Sequence, residues 1–108
     1  MMKIKDCFLH QILLQQKLKN ISLPCKDPDF IRESALGIYT ELGEALAVDK
    51  SWKTWKKVSN NFDEKDLKEE IADIWIFLIN YTLANNIYCD EILEEINKKQ
   101  MKNFERFL

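Results

Sequence analysis

The chain has 108 residues, 46% of them hydrophobic and 31% charged, with a net charge of −2. That length fits one domain with a modest core that a second copy would enlarge, and the acidic balance argues against a nucleic-acid partner. Three scattered cysteines, Cys7, Cys25 and Cys89, form no C-x-x-C pair, so they read as free thiols in a reducing cytoplasm rather than a disulfide framework or a zinc site.

Two glycines and two prolines punctuate the whole chain, which predicts long helices rather than many short strands. The N-terminal MMKIKDCFLHQ is too short an apolar stretch for a signal peptide, being broken by Asp6 and His10. A first helix is expected from about Ile4 to Asn20, with Ile4, Phe8, Ile12, Leu13 and Leu18 on its apolar side. Pro24 and Pro28 then break the chain. A second helix is expected over Asp29 to Val48, capped by Asp27 or Asp29. Its residues Ile31, Ala35, Ile38, Leu42 and Ala45 step at the spacing of one buried face. Gly37 and Gly43 lie inside it, each costing roughly 1 kcal/mol relative to alanine. They imply either close helix packing or room for a ligand beside Glu41 and Glu44.

The polar, basic and aromatic DKSWKTWKKVSNNFDEKD reads as a loop with a short helical turn. Asp63 or Asp66 would cap a third helix that runs to about Ala84 and stops at Asn85 and Asn86. Its stripe is Leu67, Ile71, Ile74 and Leu78; the run Ile71–Ala84 is too short to cross a membrane and carries Asp73 and Asn80. A last helix starts near Cys89 and sets Ile92, Ile96 and Phe104 on a charged frame. The expected fold is all-α, one domain over residues 1–108. It is a four-helix core bundle completed by assembly into a homodimer or homotetramer, with no membrane partner.

The carboxylates carry the chemistry. Glu41 and Glu44 are three apart on the second helix, and Glu70 and Asp73 are three apart on the third. Residues at that spacing project from neighbouring turns of one face. Either pair alone is an ordinary solvated face. Asp73, however, stands near the start of the most apolar segment, where an isolated carboxylate costs several kcal/mol. If the two apolar stripes face each other, all four acids converge at one rim of the core. Oxygen donors in that number suit Mg²⁺ or Mn²⁺, which would also hold phosphates. A di-iron site would need E-x-x-H, and the single histidine, His10, does not follow a glutamate at that spacing and reads as a helix-surface residue. There is no Gly-rich phosphate loop.

The order ELGEA (Glu41–Ala45), WKTWK (Trp52–Lys56) and EEIAD (Glu69–Asp73) resembles the all-α nucleoside triphosphate pyrophosphatases, a superfamily of MazG-like enzymes and dimeric dUTPases. WKTWK close after ELGEA, with Lys99, Asn103 and Arg106 as K-x-x-x-N-x-x-R, looks more like the dimeric dUTPase branch. The resemblance implies Mg²⁺-dependent hydrolysis of a nucleoside triphosphate to monophosphate and diphosphate. It carries over Glu41, Glu44, Glu70 and Asp73 as metal ligands, with Glu41 or Glu44 also activating water. In the family's first helix a glutamine and a nearby asparagine read uracil; Gln15 or Gln16, taken as Gln16, matches the glutamine, with Asn20 one turn beyond.

Lys53, Lys56, Lys99 and Arg106 are the candidates for holding phosphate, with Asn103 beside them; Lys98 and Lys102 read as solvated. Trp52 and Trp55 form either a packing contact or a stacking wall for the base. Asn80, two turns beyond Asp73, either binds sugar or base or is a satisfied core group. Two rival readings are a MazG-like enzyme with another or broader nucleotide preference, and a non-catalytic helical module that binds nucleotide or protein.

Overall fold

The breaks foreseen in the sequence become helix ends with identifiable chemistry. In the computed structural model, which describes residues 1–58 and 61–107, α1 spans Ile4–Lys19, α2 Pro28–Val48, α3 Glu64–Ala84 and α4 Cys89–Phe107. The described residues contain no strand, so the fold is all-α. Part of the foreseen loop, residues 59–60, lies outside the described residues.

Of the alternative caps, Asp27 and Asp63 are the ones used. Asp27 accepts from the Phe30 amide at 2.9 Å with Pro28 in the first turn, and Asp63 accepts from the Lys65 amide at 2.9 Å. Helix α1 ends where Asn20 turns left-handed at φ 55°, its amide donating to the Gln16 carbonyl. Asn85 and Asn86 stop α3, and Asn86 is left-handed at φ 61°.

Helices α2 and α3 form the main packed pair, α1 lies across α3, and α4 rests on α1. The link between α1 and α2 closes over the end of α3. There the Cys25 and Asp27 amides donate to the Leu83 and Ala84 carbonyls, and Lys26 Nζ donates to Asn85 Oδ1 at 3.0 Å. The apolar core gathers at this same end, from Phe8, Leu23, Phe30, Ile79, Leu83, Ala84 and Cys89. Tyr88 meets Phe8 edge-on at 6.1 Å.

The helix faces that meet differ from those expected. The inward line of α2 runs through Phe30, Ser34, Gly37, Glu41 and Ala45, and that of α3 through Glu70, Asp73, Phe77, Asn80 and Ala84. Of the expected stripes, Leu42, Ile71 and Leu78 are exposed. On α1, Phe8 is buried and Ile12 half-buried, but Leu13 and Leu18 face outward while Gln11 and Gln15 are buried. The chain therefore joins its helices through polar lines and leaves apolar side chains such as Leu36, Tyr39, Leu46 and Trp75 outside. The radius of gyration is 16.7 Å. A compact chain of this length would have about 13 Å, so the protomer is extended.

Candidate metal centre

Glu41 and Glu44 come from the fourth and fifth turns of α2, and Glu70 from the second turn of α3. The helix pairing brings one carboxylate oxygen of each within 4.8 Å of the others. Asp73, one turn further along α3, is half-buried on the same line. It lies outside this triad but is near enough for its charge to act on both Glu41 and Glu70. The ion pairs among the described residues are Lys19–Glu33, Arg32–Asp29 and Lys98–Glu94, so no lysine or arginine neutralises these acids.

The electrostatic consequence is strong. Glu41 is pushed up to about 7 by burial first, then by hydrogen bonding to Glu44 and by the like charges of Glu44, Asp73 and Glu70. Glu70 is also raised, again by burial and then by Glu44. The acids lie in the seam between two helices rather than at the rim of an apolar core as expected.

Two of their oxygens, Glu41 Oε2 and Glu70 Oε2, are buried with no hydrogen-bond partner. Gln11 Oε1, Gln15 Oε1, Ser34 Oγ and Asn80 Oδ1 are in the same condition. A buried polar group left unpaired costs roughly 1–3 kcal/mol, so a ligand or water that reached these atoms would be stabilising. Hard divalent cations prefer carboxylate oxygens, and the triad offers only oxygen donors on a line with no competing cation, so its residues fit Mg²⁺ or Mn²⁺.

The remaining candidates fall into three groups. Gln16 is exposed: its Nε2 donates to Asn20 Oδ1 at 2.9 Å and its Oε1 accepts from Ser22 at 3.0 Å. Gln15 takes the inward position instead, and the unpartnered Asn80 is not a satisfied core group. Trp52 donates from Nε1 to the Leu46 carbonyl at 2.9 Å and meets Trp55 edge-on at 5.7 Å, with Lys53 Nζ 5.3 Å from the Trp52 ring. Both tryptophans stay exposed, so they are not core. Beyond them Lys50, Lys53 and Lys56 line a polar hollow of about 380 Å³ against Ala47 and Val48, one turn past Glu44. Lys99, Asn103 and Arg106 are exposed on α4, which packs on α1 and is not brought to the acid triad.

Sequence reasoning missed Gln11, Gln15's partner in burial, together with Ser34 and Lys50. The i, i+3, i+7 series Phe8–Gln11–Gln15 carried a signal: two amides on the side of a core phenylalanine. Ser34 and Lys50 had none beyond their distance from Glu41 and Trp52.

Comparison with curated proteins and with solved structures gave no match. A family model described as dUTPase matches residues 3–108, nearly the whole chain. With four α-helices among its described residues and paired acids on α2 and α3, the chain belongs to the dUTPase family, in its all-α form.

Proposed function

We propose that the protein is a Mg²⁺-dependent nucleoside triphosphate pyrophosphohydrolase that converts dUTP and water to dUMP and diphosphate. The observation that carries this reading is the triad of Glu41, Glu44 and Glu70, converging from two helices with buried carboxylate oxygens left unpartnered. Glu41, Glu44 and Glu70 would hold the ion, with Asp73 as a further ligand or a charge behind them. When bound, the ion supplies neutralisation of phosphate charge and polarisation of water.

The chain's own residues supply the rest. Glu41 or Glu44 would orient the attacking water and accept its proton. That water's oxygen joins phosphorus as the bridge between the α and β phosphates breaks, and diphosphate leaves. Lys50, Lys53 and Lys56 form a basic hollow suited to the departing diphosphate, and Trp52 and Trp55 offer a face to sugar or base. An unpartnered oxygen of Gln11, Gln15 or Asn80 could accept from the single N–H of a uracil edge, and an amide NH2 of the same side chains could donate to the carbonyls on either side of it. A site that must pair buried polar groups rejects a base with the wrong pattern strongly.

Self-association belongs to the same reading. The outward apolar faces of α1, α2 and α3 and a groove of about 570 Å³ between α1 and α3 support a homodimer or homotetramer. No helix among the described residues is long and apolar enough to cross a membrane; we place the enzyme in the cytoplasm on its free thiols.

Diphosphate release from a panel of nucleoside triphosphates, with Mg²⁺ and with chelator, tests the proposal. The expected result is metal-dependent release with dUTP strongly preferred. Equal turnover of several bases would favour the MazG-like alternative, and no release from any nucleotide would reject the enzymatic reading.

A further inference from the structure

The two glycines of α2 have opposite surroundings. A Cβ built on Gly43 would meet nothing within 4 Å, whereas one on Gly37 would fall 2.3 Å from Phe77 Cδ1, 2.4 Å from Cε1 and 2.8 Å from Cγ. The Phe77 ring therefore occupies the space that any other residue at position 37 would need. Gly37 is one turn before Glu41, and Phe77 is one turn after Asp73 and two after Glu70, so this contact adjoins the acid triad along the same helix pair. We infer that Gly37 is a positioning residue for the acid centre: its bare backbone lets the Phe77 ring seat on α2, and that contact sets the separation at which Glu41 and Glu44 meet Glu70.

The inference rests on the metal reading above. Helices are stiff over one turn of about 5.4 Å, so a displacement at the Gly37–Phe77 contact reaches the triad almost undiminished. A divalent ion needs its oxygens at about 2.0–2.6 Å, and a site loosened by about 1 Å loses that convergence. An added methyl at Gly37 must move either the ring or the helix, and both border the triad. Gly43, free of any such neighbour, is the built-in control.

The test is Mn²⁺ binding, followed by calorimetry and by the electron paramagnetic resonance of free Mn²⁺, on wild type, Gly37→Ala, Gly43→Ala, Phe77→Leu and the double variant Gly37→Ala/Phe77→Leu. Gly37→Ala should weaken Mn²⁺ binding by about 10–100-fold, as loss of a residue that orients ligands does. Gly43→Ala should bind as wild type does. Leucine shortens the side chain by about the volume that the new methyl adds, so the double variant should recover to within about threefold of wild type. Wild-type affinity in Gly37→Ala, or a double variant as weak as Gly37→Ala, overturns the inference and leaves the metal reading standing. Absence of Mn²⁺ binding by the wild type overturns both. Should Gly37→Ala not fold, the double variant alone decides: it must fold and bind within the same threefold, and failure to do so is also a refutation.

Discussion

Because Glu41 holds its proton up to about 7, metal binding should be a proton-releasing event in the physiological range. The perturbation is simply pH. If one proton must leave Glu41 before an ion can bind, affinity scales with its ionised fraction, rising nearly tenfold per unit below about pH 6 and levelling above about pH 8. Between about pH 5 and pH 8 the gain is ~90-fold for a single group at 7. The raised Glu70 adds to this steepness, so the measured curve belongs to the cluster as a whole. Calorimetry in buffers of different ionisation enthalpy counts the protons released directly. Glu41→Gln should flatten the curve as well as weaken binding.

The same shift fixes the sign for the metal-free protein. The folded chain keeps the Glu41 proton between about 4.5 and about 7, where the unfolded chain has lost it. Stability without metal should therefore fall as pH rises through that window, and added Mg²⁺ should reverse the fall. Metal affinity that stays flat from about pH 5 to pH 7 in a folded protein would refute the placement of Glu41 among the ligands.

Asp73→Asn should lower the Glu41 midpoint by removing one of the like charges that raise it, leave apo stability level or higher, and shrink the stabilisation by Mg²⁺; melting curves with and without Mg²⁺ read this, and a loss of 3–5 kcal/mol without metal would instead mark Asp73 as the partner of a buried cation. Gln15→Ala should reduce discrimination between dUTP and other nucleotides, while Gln16→Ala, on the outer surface, should leave it unchanged; competition kinetics distinguish the two. Ser34→Ala removes a fully buried, unpartnered hydroxyl and should raise the apo melting temperature, by the equivalent of about 1 kcal/mol. Light scattering at micromolar concentration should show an assembly larger than one chain, and a monomer alone would count against the role given to the outward apolar faces.

The four helices and most of their ends were legible because capping and breaking are local: Asp27, Pro28, Asp63 and Asn85 act within a few residues of themselves. The acidic pairs were legible for the same reason, since a three-residue spacing fixes a shared face without knowledge of the rest. Which faces meet was not. Apolar periodicity assumes that the greasiest stripe turns inward, and here Leu42, Ile71 and Leu78 turn outward while Ser34, Glu41, Glu70 and Asn80 line the seam. A helix pair built around polar chemistry breaks the rule on which the periodicity argument rests. The choice between Gln15 and Gln16 also depended on how α1 crosses α3, a tertiary fact with no local signature.

The separation of the apolar core from the acid seam has a dynamic consequence. Phe30 and Leu83 stand at one end of the α2–α3 pair, and Glu41 lies about 16 Å further along α2 at 1.5 Å per residue. Little apolar burial holds the acid end closed, so the pair should open from that end as a partial unfolding unit while the core end stays intact. Backbone amides near Ile79–Ala84 would then exchange with solvent only on global unfolding, and those near Leu67–Glu70 through cheaper local opening. An ion bridging the two helices would act as a clasp on the loose end, so that the protein becomes uniformly rigid only when it is loaded.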